Sequence, residues 1–237
     1  MKDFTQAKVL IIGGSSGIGA ATASAFARLG AQVTIASRNQ SRLDTVAASI
    51  DGRIQTVVLD TTDEAAVSQY FATAGSFDHV VISAAQTPGG PVRTLALDDA
   101  YAAMNSKFWG AYRVAAAVQI NAGGSLTFVS GFLSVRPSKA SVLQGAINAA
   151  LEALSRGLAL ELSPVRVNTV SPGLIATPLW SKLSDDAPQA MYDSAAARLP
   201  AQVVGQPEDI ANAIVYLAST PYATGSTLLV DGGASIA

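Results

Sequence analysis

A glycine-rich turn is the first place in this chain where residue type and spacing could do chemistry. GGSSGIG, residues 13–19, follows the apolar run 8–12 and leads into a helical pattern. Gly13, Gly17 and Gly19 allow a tight turn, close approach of backbone to a pyrophosphate, and tight helix–strand packing. Ser15, Ser16 and Ile18 complete the turn, and the helix N-terminus behind them carries partial positive charge. The pattern predicts a dinucleotide site. The end of the next apolar run chooses the dinucleotide: it reads IASRN, with Ser37 and Arg38. A carboxylate there would bond the adenosine ribose hydroxyls of NAD(H), whereas a guanidinium suits a 2′-phosphate and nothing acidic repels it. NADP(H) is therefore expected in preference to NAD(H).

Other chemistries are excluded by what the chain lacks. It has no cysteine, which removes disulfides, thiolate metal sites and thiol catalysis, and its one histidine, His79, makes no imidazole cluster. No metal site is expected. The net charge is -2, and the 15 Lys and Arg residues are scattered, so a nucleic-acid partner is not expected. The start MKDFTQAKVL does not read as a signal peptide, and no apolar stretch free of Gly and charge is long enough to span a membrane. The expectation is a cytoplasmic protein acting on a small molecule.

These residues need a frame. With 237 residues, 49% of them hydrophobic, the chain can bury one sizeable core. Apolar runs at 8–12, 32–36, 54–59, 79–82, 125–130, 165–170 and 227–230 alternate with helical patterns near 17–29, 41–50, 64–74, 97–120, 141–162 and 207–218. Several runs are continuously apolar, as strands covered on both faces are. The prediction is an α/β fold: one Rossmann-like domain, a doubly wound, seven-stranded parallel sheet with helices on both faces, spanning residues 1–237. From about 175 to 201 the rhythm breaks, with Pro178, Pro188 and Pro200, and reads as a substrate lid.

Over nearly its whole length the chain resembles the short-chain dehydrogenase/reductase family. The resemblance rests on GGSSGIG (with Ile12 where a Thr is usual), LSRGLALELSPVRVNTVSPG, GQPEDIANAIVYLAS and TGSTLLVDGG, in that order. It implies that Asp60 contacts the adenine, and that Ser83–Ala84–Ala85 stands where the family has Asn-Ala-Gly. It also implies that Pro172, Gly173, Ile175 and Thr177 lie beside the nicotinamide, and that the chain forms a homodimer or homotetramer through its two long helices and last strand.

The family's chemistry uses an Asn, a Ser, a Tyr and a Lys. Of these only Asn105 stands in place. Gln144 and Asn148 replace the Tyr and Lys of Y-x-x-x-K, and Gly131 takes the Ser position, with Ser130 one residue short. An amide exchanges no proton at neutral pH and Asn148 carries no charge, so about 10²–10⁴-fold of acid–base catalysis per lost role is at stake. Gln144 and Asn148, one turn apart, could still bind ribose, nicotinamide or a polar ligand, Asn148 then serving the cofactor as well.

No substitute is obvious in the sequence. On a regular strand Ser130 faces away from residue 131, and Lys107 and Lys139 read as surface residues. Tyr192 sits in the lid, Trp109, Trp180 and Met191 are candidates to line a pocket, and His79 reads as structural. Three functions stay open. The first is a divergent NADP(H)-dependent oxidoreductase whose proton comes from water, the substrate or a lid residue. The second is a non-catalytic NADP(H)-binding sensor or partner subunit. The third is a lyase or isomerase on the same scaffold.

Overall fold

Seven short runs of apolar, largely β-branched residues pair into one parallel sheet in the order β3-β2-β1-β4-β5-β6-β7. The computed structural model describes residues 3–177 and 187–237. The strands are β1 (Lys8–Ile12), β2 (Gln32–Ser37), β3 (Arg53–Val58), β4 (Ser76–Ile82), β5 (Gln119–Val129), β6 (Arg166–Pro172) and β7 (Thr227–Val230). Successive β1 side chains go to opposite faces, and both faces are core. Val9 and Ile11 pack beneath α1 (Gly17–Arg28) and α8 (Pro207–Ser219), while Leu10 and Ile12 pack toward α3 (Glu64–Thr73) and α6 (Val142–Glu161). Helix α2 (Gln40–Ser49) closes the first layer through Leu43. The strand order reverses between β1 and β4, and such a crevice at the carboxyl ends is where open α/β sheets hold ligands.

Local signals explain several boundaries. Helix α8 begins on a capping box in which Asp209 Oδ2 accepts from the Gln206 backbone N–H at 2.8 Å, with Pro207 as its first residue. Its far end is closed by the buried Arg166 guanidinium, which donates to the carbonyls of Leu217, Ala218 and Thr220. His79 is a core residue: Nδ1 lies 2.8 Å from Ser125 Oγ, and Phe4 and Phe26 pack against the ring.

Two stretches differ from the sequence reading. The pattern 97–120 is helical without a break from Leu97 to Ala117, but it is not α-helical throughout and stops short of 120. It divides into α4 (Leu97–Met104), a π-helical turn at Asn105–Trp109, and α5 (Gly110–Ala117); Gln119 and Ile120 then already belong to β5, paired with Ser76 and Phe77. The alanine-rich run has no breaker to announce this, and the ladder with β4 overrides helical propensity. The irregular segment 175–201 contains a helix, α7 (Ala187–Ala196). Pro188 did not forbid it, since proline fits a helix's first turn. Pro178, named for the lid, and Trp180, named as a candidate to line a pocket, lie outside the described residues.

Candidate functional site

The glycine turn is held where β1 meets the reversal point. Gly13 N–H donates to the Ala36 carbonyl at 2.8 Å, and Gly13 sits at φ +91, a region side chains avoid. A Cβ on Gly13 would lie 2.6 Å from Ala84 N, so the first turn and the segment after β4 touch backbone to backbone. A Cβ on Gly19 would collide with the Gly13 carbonyl. Ser16, the N-cap of α1, makes no side-chain cap bond. The first turn of α1, flanked by Ser15, Gly17 and Ile18, thus lacks a cap from Ser16, as a phosphate cradle requires.

Arg38 projects from the end of β2 toward the segment after β4. Its Nη2 donates to Gln86 Oε1 at 2.9 Å, and Gln86 N–H donates to Ser106 Oγ at 2.9 Å. The side chain is exposed, so a guanidinium edge beside Ser37 can meet a phosphate without desolvating first. Asp60 begins the turn after β3, its Oδ1 accepting from Thr62 N–H at 2.9 Å. Ser83 continues β4, its N–H donating to the Ile12 carbonyl at 2.9 Å, and leads through Ala84 to the exposed Ala85. Across the crevice, Pro172 ends β6 and Gly173 N–H donates to the Val230 carbonyl at 3.0 Å. A Cβ on Gly173 would press on Asp231 at 2.7 Å. Ile175 is bridged to Gly205 and its side chain is core, leaving its main chain and the half-exposed Thr177 to border the crevice. A helix start not capped by Ser16, a backbone-tight cradle and an exposed guanidinium fit a phosphorylated dinucleotide.

The positions in question for catalysis converge on one stripe of α6, where Gln144, Asn148 and Glu152 stand one turn apart. They do not face solvent as ordinary surface residues would. Gln144 Nε2 donates to the Thr87 carbonyl at 3.0 Å and to Thr87 Oγ1 at 3.2 Å, tying α6 to the segment after β4. Asn148 is 4% exposed. Ser130 points away from the crevice: its hydroxyl donates to Glu152 Oε1 at 2.9 Å, as does that of Ser134 at 2.7 Å. The residue beside it, Gly131, has no side chain, and a Cβ there would lie 2.8 Å from Asn148 Nδ2. The absent serine and the asparagine at the lysine position are thus sterically linked.

Lys107 is the residue the sequence reading missed. Read as a surface lysine, it is half-buried, and its Nζ donates to the Ser130 carbonyl at 2.7 Å and to Asn148 Oδ1 at 2.6 Å. Burial pushes its ammonium down to about 8, with the Glu152 carboxylate opposing the shift. No spacing rule could have found it. Two residues past Asn105, a regular helix would turn Lys107 about 200° away from it. The π-helical turn at 105–109 changes that phase, a distortion common at functional sites. Asn105 itself is fixed by Arg113, whose Nη2 donates to its Oδ1 at 2.9 Å.

Other candidates fall elsewhere. Lys139 is exposed, as read. Trp109 is neither core nor crevice wall: it is 46% exposed, packed edge-on against Phe108 and Tyr112, and lines a surface groove of about 580 Å³ with Phe71 and Arg113. Met191 and Tyr192 lie half-exposed on α7. No helix among the described residues is long and apolar enough to cross a membrane.

Comparison with known proteins agrees with the topology. Residues 13–235 match the family model described as enoyl-(acyl carrier protein) reductase. A short-chain dehydrogenase/reductase of Stachybotrys chlorohalonatus, ATR9, is 33% identical, the match covering 95% of this chain and 96% of that one. A crystal structure of a small-chain dehydrogenase in complex with NADPH superposes with a TM-score of 0.84 at 34% identity, covering 98% of this chain and 100% of that one. L-sorbose reductase from Gluconobacter frateurii, complexed with NADPH and L-sorbose, superposes with a TM-score of 0.89 at 27% identity, covering 100% of both chains.

Proposed function

Because this chain belongs to the short-chain dehydrogenase/reductase family, we propose that it is an NADP(H)-dependent oxidoreductase interconverting a small carbonyl compound and its reduced form. The observation that carries the reading is the Arg38 guanidinium, held by Gln86 at the topological switch point beside an α1 N-terminus that Ser16 does not cap. The NADPH present in both solved relatives supports the cofactor assignment, and L-sorbose in one of them supports a polar carbonyl substrate.

NADPH, when bound, supplies the hydride. The chain's own residues bind, orient and exclude water. Gly13, Ser15, Ser16, Gly17, Ile18 and Gly19 cradle the pyrophosphate, Ser37 and Arg38 take the 2′-phosphate, and Asp60 takes the adenine. Ser83, Ala84 and Ala85 on one side, and Pro172, Gly173, Ile175 and Thr177 on the other, flank the nicotinamide half. Gln144 braces α6 against Thr87 in the segment that follows the first of these walls. Arg113 holds Asn105 in register with them.

A second reading, a non-catalytic NADP(H)-binding protein, is favoured by one observation: the Gln144 amide is committed to Thr87 and exchanges no proton. The exposed Tyr101 on α4, Trp109 at the end of the π-helical turn and Tyr112 on α5 support a homo-oligomer built on this helical run. The deciding experiment follows NADPH consumption over a panel of ketoses, ketones, aldehydes and activated alkenes. Turnover of any of them supports the oxidoreductase. NADPH binding with no turnover across the panel selects the second reading.

A further inference from the structure

The strongest unassigned feature is a lysine ammonium held directly by neutral oxygens between the end of β5 and α6. Lys107 is half-buried at the carboxyl end of β5, and both of its hydrogen-bond partners, the Ser130 carbonyl and Asn148 Oδ1, are neutral oxygens. An ammonium has three donors, so one remains. The nearby acid, Glu152, has its Oε1 already accepting from Ser130 and Ser134 and acts on Lys107 through space. A partly desolvated cation whose direct partners are neutral, and whose one nearby carboxylate is engaged by two serines, leaves a cost that an anionic ligand would offset in part. The same contact orients an amide. With Oδ1 facing Lys107, Asn148 turns its Nδ2 into the space that any side chain at 131 would fill, 2.8 Å from that Cβ position.

We propose that Lys107 and Asn148 together form an oxyanion-stabilising site beside the nicotinamide end of the crevice. In it the Asn148 Nδ2–H meets an oxygen carrying or developing negative charge, and the Lys107 ammonium behind its Oδ1 polarises the amide and supplies the field. Gly131 leaves the room that the Asn148 amide itself takes up, so that Nδ2 packs against the residue-131 backbone. Lys107 is a positioning residue in this arrangement and Asn148 the contacting one; preorganised donors of this kind act where charge develops in the transition state. The inference rests on the oxidoreductase reading for its role in turnover, but the placement of the charge does not.

The test uses wild type, Lys107→Met and Lys107→Arg, with NADPH and NADP⁺ as separate probes in fluorescence titrations. A cation near the nicotinamide repels the positively charged oxidised ring and spares the neutral reduced one. Lys107→Met should leave NADPH affinity within about threefold and tighten NADP⁺ by about tenfold, while Lys107→Arg keeps the wild-type ratio. On any carbonyl the wild type reduces, Lys107→Met should lower kcat by about 10²-fold with little change in KM, and Lys107→Arg should restore part of it.

An NADP⁺ to NADPH ratio unchanged in Lys107→Met overturns the inference. If that variant does not fold, the wild-type ratio is read from pH 7 to pH 10. Of the groups facing Lys107, Ser130 just past β5 and Asn148 on α6 are neutral, and Glu152 on α6 is the one carboxylate that acts on it. A relative gain for NADP⁺ with rising pH supports the inference, and a flat ratio overturns it. A wild type that binds NADPH but reduces nothing defeats the oxidoreductase reading alone, and the cofactor ratio still decides the inference.

Discussion

Lys107 Nζ lies 2.6 Å from Asn148 Oδ1, so the positive charge at this end of the sheet comes from the helical run before β5 and not from α6. If that contact is what lets residue 148 be an asparagine, a lysine there must suffer from its neighbour. Asn148→Lys should destabilise the chain by about 2–4 kcal/mol, and by clearly less in a Lys107→Met background, with a coupling of at least ~1 kcal/mol. Chemical denaturation of the four proteins measures it. Additive effects within about 0.5 kcal/mol would contradict the account.

Gly13 and Gly75 separate crowding from backbone strain. Both have positive φ, but a Cβ on Gly13 would meet Ala84 N at 2.6 Å while one on Gly75 meets nothing within 4 Å. Gly75→Ala should cost about 1 kcal/mol and leave NADPH binding alone. Gly13→Ala should cost more, about 2–4 kcal/mol, and abolish measurable NADPH binding. Equal stability losses in the two variants would mean that the contact with Ala84 is not tight.

Burial holds the Lys107 ammonium at about 8 against an ordinary 10.5. The folded chain therefore loses this proton before the unfolded chain does. Between those values the unfolded state binds more protons, and this group's contribution to stability rises with pH; below about 8 both states carry the charge. The unfolding free energy of wild type minus that of Lys107→Met should climb by about 1–3 kcal/mol across this window. A flat difference would show that Lys107 is solvated like any surface lysine.

Much of the frame was legible before any coordinates. Continuous apolar runs gave parallel, doubly covered strands, and the glycine turn fixed the sheet's first crossover, because both signals are local. The site was legible only in part. Gln144, Asn148 and Gly131 could be read as departures from a family pattern, but the cation bonded to Asn148 lies 41 residues away along the chain, in Lys107. That residue's direction depends on a π-helical turn that no periodicity encodes. Trp109 misled for a related reason. An aromatic in an alanine-rich helix reads as a candidate to line a pocket, yet here it joins Tyr112 on an exposed face.

That face makes a prediction of its own. Tyr101, Trp109 and Tyr112 are each at least 45% exposed, and Leu160 on α6 is 84% exposed. Sedimentation should find a dimer or tetramer, and Trp109→Glu with Tyr112→Glu should weaken the association by about 10²-fold or more. A wild type that sediments as a monomer at micromolar concentration would contradict the reading of this face.

The central claim is that the crevice between β1 and β4 binds NADP(H), selected by Arg38. It is tested most directly by titrating folded wild type and Arg38→Asp with NADPH and NADH and following fluorescence. Charge-assisted contacts to the 2′-phosphate should make NADPH at least about tenfold tighter for wild type, and Arg38→Asp should erase or invert that preference. Folded wild type that binds neither nucleotide, or binds NADH as tightly as NADPH with no effect of Arg38→Asp, would contradict it.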